Sequence, residues 1–175
     1  MSLQFDFIVD KEKKTIHVTR EFAADRDIVW DAFTKAEILE QWTAPKPFRA
    51  HIKEMDFREG GRCLTAMISP DNVSRWSLAE YIKIDPKSSF SSRNSFCDEN
   101  ANPLNNGFSI TTTSFTPGMD KTTVHIEKIF NDLATVEMMV AGGYKEGLEM
   151  GMNNLDEYLR TAVITSKTPN ANHTI

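Results

Sequence analysis

The sequence predicts an α+β domain in which a curved antiparallel sheet wraps one long helix, and three observations carry that reading. Residues 143–162 repeat apolar side chains at steps of three and four (Tyr144, Leu148, Met152, Leu155, Leu159 and Ala162), while Lys145, Glu146, Glu149, Asn153, Asp156, Glu157 and Arg160 fill the opposite side. That is the period of an amphipathic helix, and at ~1.5 Å per residue about 20 residues make a rod of roughly 30 Å, the width of a small domain. Residues 48–130 form a succession of strand-like runs separated by turn signals, a surface long enough to bury the rod's apolar stripe. The other helical segments are short and stand apart from the strands, and segregated helices beside an antiparallel meander define the α+β class.

In chain order, residues 5–9 and 15–22 read as extended runs around the polar turn Asp10-Lys11-Glu12-Lys13; in the second, Ile16, Val18 and Arg20 alternate with His17, Thr19 and Glu21. Residues 24–27 break the alternation, and Asp25 is placed to cap a short helix carrying Ile28, Val29, Ala32 and Phe33, with Trp30 on its flank. A second short helix over 36–42 ends before Pro45 and Pro47, neither of which can donate to a helical hydrogen bond. Strands follow at 48–57, 62–68, 75–84, 88–97, 108–115 and 121–130. Arg58-Glu59-Gly60-Gly61, residues 69–74, Asp85-Pro86-Lys87 and Thr116-Pro117-Gly118 read as turns, and the Asn- and Pro-rich stretch 98–106 as a loop. Asn131 or Asp132 caps a short helix reaching Val140, and Gly142-Gly143 swivels the chain into the long helix. Residues 1–163 are read as one domain without internal repeats; residues 164–175, polar and aperiodic, are expected to be disordered.

A chain of 175 residues with 40% hydrophobic content has material for one core. Its net charge of −5 argues against non-specific binding to nucleic acid or anionic membranes. No apolar run approaches the ~20 residues that span a bilayer, and the first residues lack the basic-then-apolar order of a secretory signal, so a cytoplasmic protein that binds neither membrane nor nucleic acid is expected. Cys63 and Cys97 fall in separate strands; with another strand between them they lie about 9–10 Å apart, too far for a disulfide, and read as buried free thiols. His17, His51, His125 and His173 are scattered without ligand spacing, and no nucleophile elbow or phosphate-cradling glycine loop occurs. Neither metal nor cofactor is expected.

Thr19-Arg20-Glu21-Phe22-Ala23-Ala24, Val29-Trp30-Asp31-Ala32-Phe33-Thr34, Leu39-Glu40-Gln41-Trp42, residues 55–62 (MDFREGGR), Gly143-Tyr144-Lys145-Glu146-Gly147-Leu148 and Asn154-Leu155-Asp156-Glu157-Tyr158-Leu159 stand in this order. Together they resemble the SRPBCC (START and Bet v 1-like) superfamily and, within it, the AHSA1-like family named for the activator of Hsp90 ATPase. The resemblance covers nearly all of residues 13–161. It implies a helix-grip fold: a seven-stranded antiparallel sheet curled around the C-terminal helix, two short helices between its first and second strands, and a cavity between sheet and helix. Asp25 stands where the family often has Pro, and Thr43 where it often has a second Trp, so one aromatic contact near the cavity mouth is expected to be missing. Eukaryotic co-chaperones of this name carry an additional N-terminal domain that has no counterpart here, so an Hsp90-like chaperone is not the expected partner.

Alternate residues of a strand face opposite sides, and the more apolar set of each strand is expected to face the helix. By that rule Trp76, Leu78, Ile82 and Ile84 bring Glu80 with them; Phe90 and Phe96 bring Asn94; Phe108 and Ile110 lead to Thr112; and Val124, Ile126 and Phe130 bring Lys128. For residues 62–68 two registers stay open: Leu64, Ala66 and Ile68, or Cys63, Thr65 and Met67. Tyr144, Leu148, Gly151 and Met152 would roof the cavity. Gly147 and Gly151, four apart, either make room for a ligand beneath the helix or allow close approach of the helix to the sheet or to a second subunit. This mixture suits the binding, without catalysis, of a small hydrophobic or amphipathic molecule. The alternatives are an enzyme of the cyclase or hydrolase type with Glu80 as acid or base, and a protein-interaction module; a homodimer is compatible with either. For Glu80 the plainer reading, a carboxylate satisfied by Arg, Lys or a backbone donor or turned to solvent by a bulge, is favoured, because buried carboxylates are usually paired. Lys128, near a strand end, is expected to extend its ammonium to water.

Overall fold

A computed structural model describes residues 3–167 of the chain. Phe5–Asp10 (β1) and Thr15–Phe22 (β2) form an N-terminal hairpin, followed by Arg26–Thr34 (α1) and Ala36–Trp42 (α2). Arg49–Met55 (β3), Arg62–Ile68 (β4), Ser74–Asp85 (β5), Ser89–Cys97 (β6), Ser109–Gly118 (β7) and Lys121–Phe130 (β8) make the meander, and Leu133–Ala141 (α3) leads into Tyr144–Lys167 (α4). All strands join one antiparallel sheet in the order β1-β2-β8-β7-β6-β5-β4-β3.

This is the expected α+β helix grip, with eight strands rather than seven. The extra strand is β1: the polar turn at 11–14 returns the chain onto its own first run, so the two short helices fall between the second and third strands. β7 continues through Gly118 and pairs there with Lys121. The turn is therefore Met119-Asp120, with Asp120 at φ 57°, and not Thr116-Pro117-Gly118. The long helix runs to Lys167; of the tail expected to be disordered, residues 168–175 lie outside the described residues, as does His173.

Local chemistry accounts for the helix ends. Asp132 caps α3, its carboxylate accepting from the Thr135 backbone N–H at 2.7 Å. Asp25 occupies the N-cap of α1 with its backbone carbonyl only, accepting from the N–H groups of Ile28 and Val29 at 3.1 Å. Gly142 closes α3, and Gly143 at φ 87° makes the swivel into α4, a conformation that costs glycine no side-chain clash.

The core lies between the sheet and α1, α2 and α4. Ile16, Val18 and Phe22 of β2, Val124, Ile126 and Phe130 of β8, and Phe115 of β7 meet Val29, Trp30, Ala32 and Phe33 of α1, Trp42 of α2 and Met152, Leu155 and Leu159 of α4. A second, smaller cluster lies on the opposite face of the sheet: Leu64, Leu78 and Cys97, with Trp76 and Ala101 packed against it. The loop after β6 covers that cluster, its Pro103 bridging back to Cys97. Both cysteines are free and buried, with β5 between their strands.

Candidate functional site

The strand registers decide which side chains share the space under α4. Reading across the sheet from the buried Ile16 of β2, one row is Ile16, Lys128, Thr111, Ser92 and Tyr81. The next row toward the open edge is Phe130, Ser109, Asn94, Ala79 and Cys63. Since partners across an antiparallel pair point to the same face, these rows line the inner, helix-facing side. These two rows are mainly polar, whereas the inner rows through Ile126 and Val124 are mainly apolar, and Tyr144 at the start of α4 lies over the Lys128 end of the first.

The polar part is internally bonded. Lys128 Nζ donates to Thr111 Oγ1 at 3.0 Å and lies 5.9 Å from the centre of the Tyr144 ring. Ser109 and Thr111 hydroxyls are 3.1 Å apart, and Ser92 Oγ donates to Asn94 Oδ1 at 2.7 Å. The Cys63 Sγ lies 3.4 Å from Thr65 Oγ1, with the buried Tyr81 phenol beside it. Burial holds the Tyr81 and Tyr144 phenols neutral by raising them well above their ordinary values, pushes the Cys63 thiol up, and lowers the Lys128 ammonium to about 8.

An aromatic wall closes one side of this polar floor. Trp30 packs edge-on against Phe57, Phe90 and Phe115 at 5.1–5.9 Å between ring centres, and Phe57 meets Tyr81 at 4.9 Å. Phe33 and Trp42 extend the wall, with Trp42 Nε1 donating to the Ala32 carbonyl at 2.9 Å. The side toward β4 and β5 is open: Met67, Ser77 and Phe96 stand on the inner face by register yet are exposed, and Thr65, Ala79, Phe90 and Asn94 are only partly covered.

The structure divides the sequence-selected residues between the two faces. Asn94, Val124, Ile126, Lys128, Tyr144 and Leu148 stand on the inner side, with Phe96 at its open edge. Met152 is also inward, but it is fully buried in the dry core. Trp76, Leu78 and Glu80 share a side as expected, but it is the outer one. A bulge between Tyr81 and Lys83 reverses the alternation within β5, so that Tyr81 and Ile84 face inward while Leu78 faces outward. Ile110 and Thr112 also face outward, because pairing Gly118 with Lys121 puts Phe115, Thr113, Thr111 and Ser109 beside the inward residues of β8. For β4 the inward register is Cys63, Thr65 and Met67, since Leu64 belongs to the outer cluster.

Glu80 is exposed and stands in register between Arg62 and Arg93, with Ile82 exposed beside it. It has neither the burial nor the apolar surroundings that acid or base chemistry in the cavity requires. Two hollows on this outer face, of about 550 and 610 Å³, share Glu80 and Arg93. They are open and lined by the charged side chains of Arg62, Glu80 and Arg93; Arg62 is engaged with Glu54 in a two-point contact at 3.0 and 3.1 Å, and Arg93 stacks 3.7 Å over the Phe108 ring. Gly151 is not a cavity residue either. A Cβ there would lie 3.1–3.2 Å from the Thr43 and Trp42 carbonyl oxygens, so its role is the close approach of α4 to the end of α2, where Asn154 Nδ2 also donates to the Ala44 carbonyl at 3.2 Å.

The inner-face residues not singled out from the sequence are Ser92, which shares its side with Phe90 and Asn94 as alternation requires, and Ser109, Thr111, Thr113 and Tyr81, which the expected alternation put outside. The signal for three of them was within reach. Counting back from a two-residue turn at Met119-Asp120 places Phe115 opposite the apolar Val124 and carries the hydroxyls of β7 inward with it. Lys128 does not extend to solvent as expected; it turns to Thr111 under Tyr144. Among the described residues no group of His, Cys, Asp and Glu could hold a metal ion, and no helix is long and apolar enough to cross a membrane.

The comparisons with known proteins agree with this architecture. No protein with a curated description matches the chain. Among solved structures it is similar to protein Ms6760 from Mycobacterium smegmatis (25% identity, TM-score 0.83, covering 92% of this chain and 99% of that one). It is also similar to a protein from Arthrobacter aurescens (22%, TM-score 0.82, 97% and 98%) and one from Staphylococcus epidermidis (24%, TM-score 0.76, 95% and 99%). The family model described as activator of Hsp90 ATPase homolog 1-like protein matches residues 23–160. That span runs from the start of the helical pair, through the meander, to the part of α4 that packs on the sheet, and the chain belongs to this family.

Proposed function

We propose that this protein binds a small amphipathic molecule between the inner face of β4–β8 and the first half of α4, without catalysing a reaction on it. The observation that carries the reading is the pairing of a polar floor with an aromatic wall on an inner face that is left partly exposed toward β4 and β5. Lys128, Thr111, Ser109, Ser92 and Asn94 offer hydrogen bonds beside the rings of Trp30, Phe57, Tyr81 and Phe90. Binding sites for small molecules combine apolar walls with a few convergent polar groups in this way. Five polar side chains on two adjacent inner rows are more than a purely apolar core would hold, since each polar group taken from water costs free energy unless it is bonded. The polarity also sharpens the expected ligand from hydrophobic to amphipathic.

The test is fluorescence titration with the neutral dye N-phenyl-1-naphthylamine, alongside native mass spectrometry of the purified protein. Saturable enhancement at a stoichiometry of one, lost when Leu148 or Ala79 is replaced by Trp to fill the space, supports the reading. A dye response that both fillings leave unchanged contradicts it.

A further inference from the structure

The geometry points to Lys128 as the anchor for a carboxylate, so that the molecule held under α4 is an organic acid with an apolar body. This rests on the cavity proposed above and adds the charge of its occupant. Lys128 sits on the inner face of β8 in the row between Ile16 and Thr111, beneath the Tyr144 ring. An ammonium has three donors. One goes to Thr111 Oγ1, and the ring of Tyr144 at 5.9 Å supplies a weak cation–π contact. No carboxylate pairs with Lys128 among the described residues, and burial is the sole cause lowering its proton affinity.

The contrast with Arg20 makes the point. Arg20 is the other cation on the inward rows of β2, β6, β7 and β8, and it is almost fully buried; it meets Asp156 of α4 at 3.4 Å, so its charge is answered within the protein. No acid stands on those inward rows to answer Lys128. Lys128 is partly buried; a charge drawn from water is costly unless paired, and the missing partner is what an anionic ligand would supply. A single ammonium beside neutral hydroxyls matches a single negative charge, hence a carboxylate rather than a doubly charged phosphate. The surrounding hydroxyls of Thr111 and Ser109 and the amide of Asn94 can orient its oxygens or a second polar group. The aromatic wall takes the apolar body.

Competition against N-phenyl-1-naphthylamine with decanoate and 1-decanol, which differ in the head group, tests this at pH 7. Wild-type protein is compared with Lys128→Met, Lys128→Gln and Lys128→Arg, each checked for folding by circular dichroism; the Gln variant stands in should Met disturb the fold. The expected result is that Met or Gln weakens decanoate at least tenfold while decanol stays within about twofold, and that Arg restores decanoate. If decanoate and decanol both compete in wild type and neither Met nor Gln changes decanoate, the role of Lys128 is overturned while the cavity stands. If wild type takes up neither the dye nor either competitor, the cavity itself is overturned and this inference with it.

Discussion

The two halves of the contact between α4 and the sheet are built from opposite chemistry. The second half is closed: Met152, Leu155 and Leu159 are at most 1% exposed and press on Ile16, Val18, Phe22 and Val124. Even its one buried charge is answered, by the Arg20–Asp156 pair. The first half, from Tyr144 to Leu148, is only partly buried, and its Tyr144 ring lies over Lys128, whose row continues through Thr111 and Ser92 toward the exposed β4–β5 side. One helix thus does two things along its length. Its C-terminal turns close the apolar core, and its N-terminal turns set Tyr144 over Lys128 beside a polar, internally bonded stretch of the sheet.

The largest expected effect comes from breaking the closed half. Leu155→Ala should cost about 3–4 kcal/mol, from lost burial plus a cavity that cannot collapse, read as a shift in the urea midpoint. Leu148→Ala, in the half-open part, should cost roughly half as much or less, because its neighbourhood can relax and water already has access. Equal costs would erase the contrast between the halves.

A smaller effect separates the two glycines of α4. Gly151→Ala would push a Cβ to 3.1–3.2 Å from two backbone oxygens, and should destabilise by about 1 kcal/mol despite the better helix propensity of alanine. Gly147→Ala meets only Pro45, at 3.9 Å, and should stabilise by about 0.5–1 kcal/mol. The same loss at both positions would mean that the close approach of α4 to the end of α2 is not what Gly151 serves.

The most delicate prediction concerns Lys128. Its folded pKa is lowered to about 8, below the ~10.4 of a free lysine. Below pH 8 both states are protonated and the folded state bears the whole cost of a buried charge. Between about 8 and 10.4 the unfolded chain keeps a proton that the folded one releases, so stability attributable to this group rises with pH. Lys128→Met should therefore be more stable than wild type by about 1–3 kcal/mol at pH 7, with the gap narrowing toward pH 10. A variant less stable than wild type at pH 7 would show that the ammonium is a structural asset.

Element positions were legible because they depend on local periodicity. β4 and β8 fall on their expected residues, and the apolar stripe of α4 was readable from steps of three and four. Which face each strand presents was only partly legible, because that is settled by distant partners. Trp76 and Leu78 look like core residues, and they are, but of the small cluster that the 98–106 loop closes on the outer face; nothing within β5 announces that cover. The bulge at Ile82 then reverses the strand's alternation, which a period-two reading cannot foresee. On β7 the inward residues before Phe115 are hydroxyls while Ile110 faces outward, and Phe108, just ahead of the strand, lies under the Arg93 guanidinium. Assigning the more apolar set to the core fails there because the inner space is itself polar.

The central claim is that the space under the first half of α4, and not the hollows around Glu80 and Arg93, receives the ligand. Amide chemical-shift mapping of the isotope-labelled protein during titration with N-phenyl-1-naphthylamine tests it most directly. Perturbations concentrated at Asn94, Thr111, Lys128, Tyr144 and Leu148, with Leu159 unmoved, are the predicted result. Perturbations gathered at Arg62, Glu80, Arg93 and Phe108 would place the site on the opposite face of the sheet and contradict the account.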